Sequence, residues 1–352
     1  MRVSGVLSIL KLLKTKINFK NYMSQAVQHE VQAARNGVAV CDRSHWGRIL
    51  VSNADRLRFL HNQSTNSFSL RQPGEGCDTV FVNSTGRTID LVTAYVTDDA
   101  VLLLVSPQRR ETIVPWMDRF IFFADKVTLE DVTDSTGTLT LVGPDSDRLI
   151  EKLGAADLVG QPYGTHRTFA IDGIGDGESV RISVGSGLAI AGYTLFMSRE
   201  AIAPLQARLV NWGAVPLSEA GWEQLRVEQG RPTADQELSE EVNPLEAGLW
   251  HTISLTKGCY IGQETIARLH TYKGVKQQLW GVKLAAPVEP GSTVLSGEAK
   301  VGKLTSCIPT AEGALGLAYI RTKSVEAGVQ TVQIAGTDGV LVPLPFVSHE
   351  YI

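Results

Sequence analysis

The order of apolar and polar residues predicts a chain that alternates short strands and helices from residue 38 onward. Alternating or continuous apolar runs predict strands at 47–52, 79–96, 99–106 and 127–143. The run 79–96 carries turn residues near its centre, which predicts a hairpin there. Helical spacing predicts helices at 54–63, 107–120 and 144–154. This order of elements favours an α+β fold with mixed or antiparallel sheets over a doubly wound parallel sheet.

The pattern changes near residues 275–280. Before this point the sequence predicts loops around one edge strand over 154–178, strands within 179–198, and helices at about 199–211 and 219–229. After it, short strands with turn residues about every 8–12 positions are typical of a small β-barrel or sandwich. We therefore predict an N-terminal extension, two central α+β subdomains and a C-terminal β-barrel, over residues 1–35, 36–277 and 278–352.

Composition and charge exclude several classes of protein. The chain has 352 residues, of which 43% are hydrophobic and 20% charged, as in ordinary globular proteins. Its 33 basic and 37 acidic residues give a net charge of −4, without the basic excess of a nucleic-acid-binding protein. No apolar run approaches the roughly 18 residues of a membrane helix. We expect a monomer without a nucleic-acid or membrane partner.

The first 29 residues are basic and contain no acidic residue. Their amphipathic pattern is typical of an organelle transit peptide. The alternative is that residues 1–22 are upstream sequence translated from an early start codon, because a natural domain start follows Met23. Both interpretations stay open.

The four cysteines, Cys41, Cys77, Cys259 and Cys307, lie far apart and form no C-x-x-C pair. No H-x-x-x-H pair occurs among the seven histidines. This spacing argues against a disulfide framework and against a metal held by this chain alone.

The densest candidate for chemistry is a glycine-containing segment between the strand-like run HTISL and the helix-like run TIARLHTY. It consists of Lys257, Gly258, Cys259, Tyr260, Ile261, Gly262, Gln263 and Glu264. Two glycines four positions apart permit a tight strand-to-helix turn, which would bring Cys259 close to a helix N-terminus. That position and the nearby Lys257 would both lower the pKa of the thiol below its usual value of about 8.5. A buried structural cysteine is the alternative.

Two weaker candidates involve carboxylates. In the helix ending at LRVEQGRP, Glu228 could accept hydrogen bonds from an aminopyrimidine N–H pair, and Arg226 could hold a carboxylate tail. The alternative for both is a solvated helix end. Asp90 lies in an apolar strand, so it belongs either to the polar face of a sheet or to a functional site.

Together, KGCYIGQE, LRVEQGRP and GVAVCDRSHWGRILVSNADRLRFLHNQSTN resemble the YgfZ family of folate-binding proteins, which are relatives of the glycine-cleavage T-protein, an aminomethyltransferase. The resemblance extends from about Asn36 to about Phe346 and is strongest to the branch of cyanobacteria and plastids. It implies three domains around a central opening that holds tetrahydrofolate, with a small C-terminal β-barrel. It also implies a role in making or repairing iron–sulfur clusters, in which Cys259 is essential.

The resemblance also assigns individual residues. The folate-contacting glutamate of the T-protein falls on Glu228, with Arg226 beside it. The first acid of the T-protein motif G-G-x-x-D-D is retained as Asp90, whereas the second is Leu91. The T-protein lacks the cysteine signature, so aminomethyl transfer is in doubt while folate binding is expected. We predict a pocket for tetrahydrofolate or a one-carbon derivative, lined by Asp90, Arg226, Glu228 and Trp250.

Three functions follow as hypotheses. The first is a folate-binding accessory protein that acts through Cys259 on iron–sulfur client enzymes or assembly proteins. The second is a folate-dependent aminomethyltransferase, in which Asp90 orients the folate N10 and Glu228 the pterin. The third is a scaffold with a vestigial pocket. The expected location is the cytoplasm of a cyanobacterium-like cell, or a plastid if residues 1–22 are a transit segment.

Overall fold

The computed structural model describes residues 25–175 and 178–351. The basic segment 1–22 lies outside the described residues, so both interpretations of it stay predictions. The helices are α1 (25–36), α2 (Arg56–Gln63), α3 (Arg110–Asp118), α4 (Ser146–Lys152), α5 (Ile202–Asn211), α6 (Glu219–Gln229), α7 (Gln263–Thr271) and α8 (Thr322–Glu326). None of the helices in these two ranges is long and apolar enough to cross a membrane.

Eleven strands precede the barrel: β1 (Ala39–Asp42), β2 (Gly47–Ser52), β3 (Gly76–Val82), β4 (Thr88–Val96), β5 (Ala100–Val105), β6 (Thr128–Asp131), β7 (Thr136–Val142), β8 (His166–Ala170), β9 (Ser179–Val184), β10 (Gly192–Ser198) and β11 (Val215–Pro216). They form two sheets. The first has the order β3-β4-β5-β2-β6 and the second the order β11-β1-β7-β10-β9-β8.

The first sheet is antiparallel throughout. The predicted hairpin is present as β3 and β4, in which Phe81 pairs with Asp90. One face of the sheet packs against α2 and α3, since Leu60 and Ile113 are fully buried in one cluster with Leu103. Removal of this apolar surface from water stabilises the layer.

The second sheet is antiparallel except for the short parallel pair of β1 and β11. Leu139, Leu141 and Leu195 face α4 and α5, where they pack against Leu149 and Leu205. The mixed sheets and the helices confirm the predicted α+β class.

The opposite faces of the two sheets meet in a polar layer. Side chains alternate along a strand, so the residues between the leucines of the second sheet point away from its helices. They form a buried row across paired strands, made of Thr140, Thr194, Ser183 and His166. The first sheet contributes the paired residues Asp78 and Thr93. We call this region the inter-sheet layer.

The C-terminal strands are β12 (Gln277–Leu284), β13 (Thr293–Ser296), β14 (Ala299–Thr310), β15 (Gly313–Arg321), β16 (Thr331–Ile334) and β17 (Thr337–Val342). They close into a barrel of order β12-β15-β14-β13-β16-β17 around a core that includes Val282, Leu304 and Ile320. The predicted C-terminal β-barrel is thus confirmed.

The expected strand at HTISL is wrong. Residues Trp250–Thr252 form a single 3₁₀ turn, and the backbone after it has no regular structure up to α7. The Thr252 hydroxyl closes the turn by donating to the Leu249 carbonyl at 2.7 Å. Ile253 of this run is buried because it packs between the first sheet and the barrel, whereas Leu255 is exposed.

Candidate functional site

Arg43 lies in the inter-sheet layer directly after β1. Its guanidinium carbon is 3.8 Å from the ring centroid of Trp46 and 4.3 Å from that of Trp222, and the planes of these two rings are 82° apart. The side chain donates one hydrogen bond, to the Ser186 carbonyl at 3.4 Å, and its buried Nε has no partner. Burial lowers the pKa of Arg43 to about 9, and the nearby charge of Arg231 acts in the same direction.

Arg231 approaches the same layer from the end of α6. Gly230 ends that helix with a left-handed backbone (φ 78°), a conformation that glycine adopts without strain. The guanidinium carbon of Arg231 is 5.1 Å from the centroid of Trp46. Its one side-chain hydrogen bond goes to the Pro232 carbonyl at 3.4 Å, and its buried Nε has no partner. Burial lowers the pKa of Arg231.

Asp78 is the carboxylate of the inter-sheet layer. Its Oδ1 accepts hydrogen bonds from the Thr93 hydroxyl at 2.7 Å and from the Tyr163 hydroxyl at 2.8 Å. Its Oδ2 lies 3.8 Å from Nε2 of His251. Burial alone raises the pKa of Asp78, but His251, Thr93 and the charge of Arg231 outweigh burial and hold the pKa below its usual value. Asp78 is therefore ionised in the folded protein at neutral pH.

Asp90 is fully buried on β4. Its Oδ2 accepts from the Ser106 backbone N–H at 2.9 Å, and its Oδ1 accepts from the Ser106 hydroxyl at 2.6 Å. Burial raises the pKa of Asp90 to about 6, although both Ser106 bonds act to lower it. Both oxygens thus have protein partners.

Arg226 points from α6 toward the barrel. Its NH1 donates to Glu237 and to the Arg231 carbonyl, each at 2.9 Å, and its Nε and NH2 donate to Glu223 at 2.7 and 2.6 Å. NH2 also contacts Gln236 and Ser306. A guanidinium has five N–H donors, so none is left for the carboxylate of a ligand. Arg226 joins α6, the segment after it and β14.

Glu228 lies on another side of α6. It accepts from Arg35 of α1 at 2.6 Å and from Gln224 at 2.8 Å. It borders a cleft of about 500 Å³ between α1, α6 and the barrel. The indole of Trp250 packs against Tyr351, and its buried Nε1 has no hydrogen-bond partner.

Each of the four residues predicted to line one pocket has its own hydrogen-bond or packing partners, and the shared pocket stays a prediction. Within the described ranges, no hydrogen bond or ion pair joins any two of Asp90, Arg226, Glu228 and Trp250.

The segment with Cys259 begins as a turn outside the helix. Helix α7 begins at Gln263, after Gly262 in a left-handed conformation (φ 79°), and Gln263 Oε1 accepts from the Tyr260 backbone N–H at 3.1 Å. Cys259 precedes the first helical residue by four positions, so it lies before the helix and outside its first turn. Gln263 and Glu264 do occupy the first turn, as predicted.

Lys257 anchors this turn. Its Nζ donates to the carbonyls of His61, Ser64 and Asn66, the latter two at 2.7 Å. Burial lowers the pKa of Lys257 to about 7. The Lys257 ammonium thus points to the end of α2 and the residues after it. Cys259 makes no hydrogen bond within the described ranges.

The cysteines differ in their access to solvent. Cys259 is exposed, whereas Cys41 and Cys77 are buried and Cys307 is partly buried. Burial raises the pKa of Cys41 and of Cys77 to about 12, and it raises that of Cys307. No cluster of three or more potential metal ligands occurs in residues 25–175 and 178–351.

Four charged residues of this region, Arg43, Arg231, Asp78 and Glu237, are not among those predicted from the sequence. The sequence carries a signal for two of them. Arg43 precedes Trp46 by three positions in CDRSHW, and Arg231 directly follows the glycine that ends the helix in EQGRP. Asp78 and Glu237 carried no such signal, because only the folded chain shows that they are buried.

Comparison with known proteins agrees with this architecture. The sequence model of the GCVT N-terminal domain matches residues 12–257. A protein of Arabidopsis thaliana that bears the name of a chloroplastic transferase is 45% identical over 323 residues, covering 91% of this chain and 74% of that protein. The aminomethyltransferase of Rubrobacter xylanophilus is 30% identical over 327 residues, covering 91% of this chain and 86% of that protein.

Among solved structures, the glycine cleavage system aminomethyltransferase T from Bartonella henselae superposes with a TM-score of 0.77 at 17% identity. The match covers 93% of this chain and 91% of that one, so the two share a fold that includes the C-terminal barrel. The family match and the relatives together show that this chain belongs to the GCVT family of aminomethyltransferase-like proteins.

Proposed function

We propose that this protein binds tetrahydrofolate or a one-carbon derivative and acts through Cys259 as an accessory protein for iron–sulfur cluster assembly or repair. The observation that carries the proposal is the exposed thiol of Cys259 on a turn fixed by Lys257. A thiol that reacts with a ligand or a client protein needs such access, and a fixed turn presents it in one orientation.

Membership in the GCVT family supports the folate part of the proposal, because relatives carry the name aminomethyltransferase. The chain also has groups that fit a folate. The carboxylate of Glu228 borders an open cleft, and the buried Nε1 of Trp250 lacks an acceptor. For Glu228 to accept from a pterin N–H pair, Arg35 would have to release it. Arg226 is proposed to position the neighbouring segments rather than to contact the ligand.

A titration with tetrahydrofolate tests binding, read by the intrinsic fluorescence of the tryptophans. We expect saturable quenching in wild type and weaker binding in Glu228→Gln. Glu130→Gln is a control, because Glu130 lies on the edge strand β6. Absence of saturable quenching in wild type, or equal affinity in Glu228→Gln, would remove Glu228 from the proposed pocket.

A second candidate is aminomethyl transfer to or from folate. The Rubrobacter relative, whose name states that activity, favours it, as does the retained Asp90. The two functions differ in their dependence on residues. Folate-dependent transfer that is lost in Asp90→Asn and kept in Cys259→Ser would support the transferase, whereas absence of transfer in wild type would support the accessory role.

The location is proposed from the same comparisons. The Arabidopsis relative is named as chloroplastic, which favours a plastid over the cytoplasm of a bacterium. A fluorescent fusion of residues 1–35 in a plant cell would test whether this segment directs import.

A further inference from the structure

We propose that the inter-sheet layer contains a binding site for the anionic group of a small ligand, a carboxylate or a phosphate, held by Arg43 and Arg231. Within the described ranges, neither arginine forms a hydrogen bond or ion pair with the proposed folate contacts Glu228 and Trp250. It does not depend on the folate proposal.

Both guanidinium groups make almost no hydrogen bonds. Arg43 is 1% exposed and Arg231 is 3% exposed, and each makes a single side-chain hydrogen bond of 3.4 Å. Neither has an ion pair with a carboxylate within the described ranges, and both Nε atoms are buried without a partner. Buried charges without partners are costly, so proteins normally pair them or neutralise them with a ligand.

Other buried arginines of this chain show what the fold does with a structural guanidinium. Arg48 is also fully buried, and all three of its nitrogens donate to carbonyl or hydroxyl oxygens of Trp46, Ser44, Thr133, Thr136 and Thr138. Arg226 is saturated in the same way. Arg43 and Arg231 therefore differ from the structural arginines in one respect, their free donors.

Two aromatic rings and a glycine lie beside the Arg43 guanidinium. Trp46 and Trp222, whose ring planes are 82° apart, each present a ring to its carbon, and neither accepts a hydrogen bond from its nitrogens. Gly187 has no side chain at the point where a Cβ would be 3.3 Å from Arg43 NH1. A planar N–H edge matches the two oxygens of a carboxylate or phosphate.

The groups around the two arginines leave them available to an anion. Asp78 and Asp90 both act on Arg231, but neither forms an ion pair with Arg43 or Arg231 within the described ranges. The buried hydroxyl oxygen of Thr140 on the facing sheet has no hydrogen-bond partner. The layer thus offers cationic donors and a free hydroxyl, which fit a small oxygen-rich anion. A cleft of about 430 Å³ is lined by Trp46 and Trp222, the two rings that contact Arg43.

The test uses wild-type protein and simple anions. Sodium formate and inorganic phosphate are titrated separately at constant ionic strength, and the fluorescence of the tryptophans beside the site is recorded. We expect a saturable change with at least one anion. A response to formate alone assigns a carboxylate ligand, and a response to phosphate alone assigns a phosphate ester.

Arg43→Gln and Arg231→Gln should each weaken the binding at least about tenfold, because each removes charge-assisted hydrogen bonds. Arg208→Gln is the matched control, since Arg208 lies 6.0 Å from the ring of Trp212 and donates to the Gly173 carbonyl at the surface. Arg208→Gln should bind like wild type. Equal loss in this control, or no saturable response in wild type, would overturn the proposal.

If either interior variant fails to fold, crystals of wild type soaked in bromide provide a second measurement. An anomalous peak between Arg43 and Arg231 supports the site. A bromide map without a peak there overturns it.

Discussion

Replacing Asp90 with asparagine should remove a defined part of the pH dependence of folding. Asp90 is fully buried, and burial raises its pKa from the usual 3.8 to about 6 in spite of the bonds from Ser106. That difference corresponds to about 3 kcal/mol, at about 1.36 kcal/mol for each pKa unit. Because the folded state holds the proton more tightly, the stabilisation from Asp90 is complete below pH 3.8 and is lost as the pH rises through about 6.

The assay is urea denaturation of wild type and Asp90→Asn at several pH values between about 4 and about 8. Subtracting the two free energies of unfolding cancels the titration of the other groups. We expect wild type to lose about 2.4 kcal/mol relative to the variant across this range, because part of the stabilisation is already lost at pH 4. Asp134→Asn is the control, because the Asp134 side chain is 85% exposed.

A difference that stays constant with pH would refute this reasoning. It would mean that the Asp90 carboxyl titrates alike in the folded and unfolded states. Ser106→Ala gives an independent check, since it removes the hydroxyl that donates to Asp90 and should move the pH window upward.

Three further predictions concern other parts of the site. Glu237→Gln should lower the free energy of unfolding by about 1.5–3 kcal/mol in urea denaturation, because it removes the fully buried one of the two carboxylates that pair with Arg226 and leaves only Glu223; an effect below about 1 kcal/mol would contradict this role. Lys257→Met should lower the melting temperature, since three carbonyls lose their donor, and an unchanged temperature would contradict the anchoring role. At pH 7, Cys259 should be alkylated faster than Cys41, as measured by mass spectrometry; equal rates would contradict its exposure.

Much of the fold could be predicted from the sequence because the strands and helices depend on the local periodicity of apolar residues. The hairpin of β3 and β4, the end of α6 at Gly230 and the barrel all follow from patterns that span a few residues. The strand predicted at HTISL is absent because an apolar residue such as Ile253 can be buried between layers of the fold without joining a sheet.

The site could be predicted only in part, because its partners come from distant segments. Nothing near Glu228 in sequence indicates that Arg35 of α1 binds it. Likewise, the donors of Arg226 are taken by Glu237 and by a serine of the barrel, which the helix pattern cannot specify. Arg43 and Arg231 are far apart in sequence, and only the folded chain places both beside the ring of Trp46.

The most direct measurement of the central claim is complementation of a strain that lacks its own family member, with the activity of an iron–sulfur enzyme as the readout. Wild type, Cys259→Ser and Cys307→Ser are compared at equal expression. We predict that wild type and Cys307→Ser restore the activity, because Cys307 is partly buried within β14, and that Cys259→Ser does not. Full restoration by Cys259→Ser would contradict a function that acts through this thiol.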